Sequence, residues 1–104
     1  MKIYQNTGKT NEQGLNPGTI GYTFKINYAD IVENVYAKQD ALGLDLSSKD
    51  AGINGAHWII GKELYKEFLK DMNVEESEIE KLVGKEVIGF VNENSPVLRG
   101  IKVK

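Results

Sequence analysis

"TIGYTFKINYADIVENVYAKQDALGLDLSS", residues 19–48, is the stretch on which the fold turns. In its first part Ile20, Tyr22, Phe24, Ile26 and Tyr28 alternate with Gly21, Thr23, Lys25, Asn27 and Ala29, the period of a half-buried strand. The tyrosines of this run are expected to face the core, since turning them all outward would strip the sheet of an apolar face. The middle, DIVENVYAKQ at 30–39, fits two states. Ile31, Val32, Val35 and Tyr36 make a helical stripe, with Asp30 and Glu33 as a capping box. The β-branched and aromatic content suits instead a strand that continues and bends. Strand is the expectation. A helix at 30–42 would turn the chain into an α+β sandwich. At the far end Leu42, Leu44 and Leu46 alternate with Gly43, Asp45 and Ser47, which is again a strand.

Working outward, SSKDAG is a turn and INGAHWII a third strand, so residues 42–60 read as a hairpin. After Gly61, Leu64, Tyr65, Phe68, Leu69 and Met72 fall on one face of an amphipathic helix. A second short helix comes next, with Asn73 as its N-cap, Ile79, Leu82 and Val83 facing inward and Gly84 as a left-handed stop. KEVIGFVN, the turn ENSP and VLRGIKVK form a terminal hairpin. At the other end Lys2 to Gln5 could make a short strand. Residues 6–19 hold three glycines and a proline with little that is apolar. The expected organisation is a flexible N-terminal arm over 1–18 and one packed domain over 19–104.

The element order, three strands, a helical connector and two strands, is that of a mainly β, five-stranded OB-like barrel with its helix between strands three and four. The run QDALGLDLSSKDAGINGAHWII, then a helix, then VEESEIEKLVGKEVIGFV, resembles the small phage-type single-stranded-DNA-binding proteins. The "LxGKxV" entry into their fourth strand is matched here by Leu82, Gly84, Lys85 and Val87. The resemblance covers roughly residues 19–104. The chain departs from it in ending on Arg99, Lys102 and Lys104 in place of the long acidic tail that some such proteins carry.

The resemblance implies a groove across strands two and three, where lysines track phosphates and aromatic rings stack bases. The candidates for phosphate contact are Lys25, Lys38, Lys49, Arg99 and Lys102; those for stacking are Trp58, Tyr36 and, third, Tyr22. Against Trp58 stands its large area, which a small core would use. His57 and Trp58 are adjacent on a strand and so point to opposite faces; Ala56, Trp58 and Ile60 share one, Ile53, His57 and Ile59 the other. A lone histidine without a second ligand is read as solvent-facing.

At 104 residues, 40% hydrophobic and 27% charged with a net charge of −2, the chain is one ordinary soluble domain, neither disordered nor strongly basic. It has no cysteine, hence no thiolate chemistry and no disulfide framework. No apolar run is long enough to span a membrane and no export signal is recognisable, so a cytoplasmic protein, of a bacterial host if phage-encoded, is expected. TGKT at 7–10 is no phosphate loop, because the required first glycine is Ile3. No catalytic, metal or cofactor motif is present, and a non-enzymatic role is expected. The expected function is single-stranded nucleic-acid binding in phage-type replication or recombination. The alternative is a small phage-type inhibitor or adaptor that engages a protein partner through the acidic stretch Glu75, Glu76, Glu78 and Glu80 or through the glycine-rich arm. A homodimer is compatible with either.

Overall fold

The computed structural model describes residues 3–4, 19–34, 39–92 and 95–104. Five strands, β1 (Thr19–Asn34), β2 (Gln39–Ser48), β3 (Ile53–Gly61), β4 (Glu86–Asn92) and β5 (Ser95–Val103), form one antiparallel sheet in the order β3-β2-β1-β4-β5. Helix α1 (Lys62–Asp71) and a 3₁₀ segment (Glu76–Leu82) lie between β3 and β4. The sheet curls into the half-barrel of an OB-like fold, as the element order predicts. Residues 30–34 continue β1, and β2 begins at Gln39, so the helix considered over 30–42 does not form. Residues 35–38 lie outside the described residues.

The long first strand serves both halves of the barrel. Thr19 to Lys25 pair with β4, whereas Lys25 to Asn34 pair with β2, so Lys25 faces both Ser47 and Glu86. Just beyond it the register with β2 slips between Ile26 and Tyr28, leaving Asn27 as the extra residue of a β-bulge. A bulge advances the chain by one position and thereby exchanges the faces. Before it, Phe24 and Ile26 are fully buried; after it, Ala29 and Ile31 pack against the core and Tyr28 turns out, 57% exposed. The unbroken alternation expected through Tyr28 therefore ends at Ile26.

A second bulge sets the faces of β3. Leu46 pairs with Ala56 and Ser47 with Asn54, so Gly55, at φ 86°, is the unpaired residue. A side chain at this left-handed φ would be strained, which is why glycine suits the position. The slip places Ile53 on the core side with Ala56, Trp58 and Ile60, and not on the His57 face as simple alternation suggests.

The connector ends and restarts by backbone chemistry. Asn73, at φ 59°, donates its N–H to the Lys70 carbonyl and Val74 donates to Leu69, the two bonds of a Schellman motif closing α1. Asn73 is thus the C-terminal stop of α1 and not an N-cap; the cap position of the 3₁₀ segment is Glu75. In a 3₁₀ turn i and i+3 are eclipsed, so Ile79 and Leu82 are buried together while Val83 is turned outward. The phenol of Tyr65 donates to Glu76 Oε1 at 2.8 Å, tying α1 to the segment. Gly84, at φ 90°, then turns the chain so that its N–H donates to the Ile26 carbonyl and the Ile26 N–H donates to Lys85. The Leu82-Gly84-Lys85-Val87 pattern is therefore explained by folding alone: buried, left-handed turn, backbone acceptor, buried.

The core lies between the concave sheet and α1, around Phe24, Ile26, Leu42, Leu46, Ile60, Phe68, Leu82 and Ile101. It also takes in Ile3 and Tyr4, two residues of the segment expected to be an arm. Tyr4 forms a two-bond bridge with Ile101 of β5, stacks edge-on against Phe68 with ring centroids 5.2 Å apart, and donates its hydroxyl to Asp71. No helix among the described residues is long and apolar enough to cross a membrane.

Candidate nucleic-acid interface

The outer face of the β1–β2–β3 half is read directly from the register. Tyr28, Asp45 and His57 stand side by side on three adjacent strands. Paired residues share a face, so the three side chains form one row across the sheet. Tyr28 and His57 are exposed and Asp45 half-buried between them. The Tyr28 hydroxyl donates to Asp30 Oδ2 at 3.0 Å, and this hydrogen bond raises the phenol above its ordinary pKa. Its ring remains open to solvent. One step nearer the β2–β3 turn, the Asn27 amide donates to Ser47 Oγ at 2.9 Å and to Asp45 Oδ1 at 3.4 Å. Asp30 also accepts from the Ile31 N–H at 2.8 Å. Each of the two carboxylates of this face thus has an oxygen occupied by a donor of the chain itself.

The row gives way to a cleft of about 430 Å³ at the pivot of β1, whose lining includes Lys25, Lys49 and Lys104 together with the acids Asp50 and Glu86. Lys104 Nζ is 3.2 Å from Glu86 Oε1, which offsets that acid and leaves Lys25 and Lys49 with the single carboxylate of Asp50 as the remaining charges of the cleft. The arrangement is two exposed rings on an open strand surface beside a cleft that carries two ammonium groups and the carboxylate of Asp50. Chemically it can stack planar rings and hold an anion next to them. Among the described residues no group of three or more His, Asp or Glu side chains is placed to hold a metal ion.

The candidates named from sequence are separated by the structure. Lys25 and Lys49 come together in the cleft. Lys102 is half-buried on the outer face of β5, in a row with Thr23 and Ile88, and Arg99 is exposed at a bulge of the same strand. Tyr36 and Lys38 lie outside the described residues. Tyr22 is partly buried against the core. Trp58 is 4% exposed and its indole N–H donates to the Tyr4 carbonyl at 3.1 Å, so it belongs to the core and has no face free for a base. Sequence reasoning missed Tyr28 as a surface ring because the bulge at Asn27 leaves no mark in a one-dimensional alternation. It placed His57 on the outside but gave it no partner; its register with Tyr28 was the signal it lacked.

Comparison with family models, curated proteins and solved structures finds no match for the chain.

Proposed function

We propose that this chain is a non-enzymatic single-stranded nucleic-acid-binding protein of the kind used in phage-type replication or recombination. The observation that carries the reading is the alignment of Tyr28 and His57 in one row, either side of Asp45, on the open face of an OB-like barrel next to the Lys25 and Lys49 cleft. In this fold the same region of the sheet is the usual ligand face, and exposed rings there stack bases without regard to sequence. Bases rest on Tyr28 and His57, and the backbone runs past Lys25 and Lys49.

The test is anisotropy of a labelled single-stranded oligonucleotide titrated with the protein at about 20 mM and about 200 mM salt. Affinity is expected to fall with salt, with a slope of about 0.7 for each phosphate neutralised. Absence of binding at the lower salt overturns the reading.

A specific observation also favours an adaptor that binds a protein. Asp30 and Asp45 lie on the ligand face itself, where they repel phosphate and suit a basic peptide. Binding to a lysine-rich peptide, in the absence of binding to the oligonucleotide, would select this second account.

A further inference from the structure

The other half of the barrel has an outer face of different character. Val87, Gly89 and Val91 of β4 are buried, so Glu86, Ile88 and Phe90 point away from the core. Phe90 pairs with Gly21 on one side and with Gly100 on the other. It is therefore an aromatic side chain flanked by glycine on both neighbouring strands, Gly21 exposed and Gly100 buried. A Cβ added at Gly21 would stand 3.5 Å from the Phe90 ring and 3.1 Å from Ile88, which shows how the two side chains border the exposed glycine. Both are only partly buried, and neither belongs to the core cluster.

The charges around this ring are those of a cationic surface. Lys25 and Lys102 lie on the same outer face, in the rows Lys25–Glu86 and Thr23–Ile88–Lys102. Arg99 is exposed one residue from Gly100. The acid of the face, Glu86, is matched by Lys104. An aromatic ring set among basic side chains on an open strand surface complements a phosphodiester chain with unstacked bases.

We propose that Phe90 is a second base-stacking position, and that a bound single strand crosses β1 at Lys25, from the Tyr28 row on one half of the barrel to Phe90 and Lys102 on the other. This rests on the single-stranded nucleic-acid reading. The path runs along β1 from Tyr28 to Gly21, seven residues or roughly 20 Å of strand. That length is compatible with the roughly 4 to 16 nucleotides that an OB fold occupies. Lys25 contacts the backbone at the crossing because it is the residue paired with both halves.

The test compares labelled oligothymidylates of two and twelve nucleotides. Phe90→Leu keeps an apolar side chain beside Gly21 but has no ring face; Phe90→Tyr keeps the ring. The expected result is a loss of about tenfold for Phe90→Leu with the twelve-mer, the size of one stacked base. With the dinucleotide, too short to reach from Tyr28, no loss is expected, and Phe90→Tyr binds both as wild type. Lys102→Gln should lower the salt slope with the twelve-mer alone, a readout that does not depend on how Phe90→Leu packs. Wild-type affinity for the twelve-mer in Phe90→Leu, or an unchanged slope in Lys102→Gln, overturns the crossing path while leaving the first face standing. If the wild-type protein binds neither oligonucleotide, both proposals fall.

Discussion

The indole N–H of Trp58 donates to the main-chain carbonyl of Tyr4, 3.1 Å away and 54 positions earlier in the chain. Trp58 is on β3 and Tyr4 is bridged to β5, the two edges of the sheet. The gap between these edges is therefore spanned by Tyr4, whose backbone pairs on one side and accepts from a side chain on the other.

Trp58→Phe tests the weight of this link. The ring is largely conserved and the donor lost, so destabilisation of about 1 to 2 kcal/mol is expected from the missing hydrogen bond and the smaller volume. Trp58→Ala should cost about 3 to 5 kcal/mol. Denaturant midpoints of the two variants check both figures. In the wild-type protein Trp58 emission should be that of a buried indole and should not be quenched by stacking when an oligonucleotide binds.

Stability should fall on the alkaline side. Burial, helped by the carboxylate of Asp71, holds the Tyr4 phenol well above its ordinary value of 10.0, and the hydrogen bond to Glu76 raises Tyr65 as well. Above pH 10 the unfolded chain releases these protons and the folded chain keeps them. Unfolding is then favoured by up to about 1.4 kcal/mol per pH unit through Tyr4, and Tyr65 acts in the same direction. Below pH 10 the contribution is fully present. Tyr4→Phe should lose about 1 kcal/mol at neutral pH, from the hydroxyl's bond to Asp71, and show a shallower decline between pH 10 and 12. Thermal midpoints across that range give the comparison; an equal decline in both proteins would refute the assignment to Tyr4.

Gly89 has no room for a side chain. A Cβ there would lie 2.4 Å from the ring of Phe24 and 2.8 Å from Leu98, both buried. Gly89→Ala should destabilise by about 1 to 3 kcal/mol through overpacking, readable as a lower urea midpoint. Gly84→Ala has open space around it but a φ of 90°, so its cost, about 1 kcal/mol, is conformational.

Tyr28→Ala separates binding from folding. The ring is exposed, so stability should change by no more than about 0.5 kcal/mol. Affinity for a single strand should drop by about 1 to 3 kcal/mol if a base stacks there. Lys25→Gln and Lys49→Gln should each reduce the salt slope by about 0.7. Unchanged affinity in Tyr28→Ala would remove the stacking row from the interface.

The barrel's strands, its amphipathic helix and the closing hairpin were legible because each is written in a local period. Leu42, Leu44 and Leu46 are buried as their alternation requires, and so are Tyr65, Phe68 and Leu69 of α1. Trp58 leaned to the core on area alone and lies there. What was not legible depends on register or on distant partners. The bulges at Asn27 and Gly55 change faces without changing composition, and the burial of Tyr4 depends on β3 and β5, far along the chain. Asn73 suits a helix stop as well as a helix start; the bonds to Lys70 and Leu69 distinguish the two. The stacking row was hidden for the same reason, since it joins residues from three strands.

The bulge at Asn27 has a consequence for how β1 tolerates change. Core residues occupy even positions before it, Phe24 and Ile26, and odd positions after it, Ala29 and Ile31. The strand is one backbone carrying two messages of opposite parity. If β1 paired at its present length without the bulge, plain alternation would send Ala29 and Ile31 to water and Tyr28 into the barrel, whereas deletion of Asn27 itself would keep every one of them on its present face. At this one place a residue with no partner, and not the composition around it, decides which side chains reach the core.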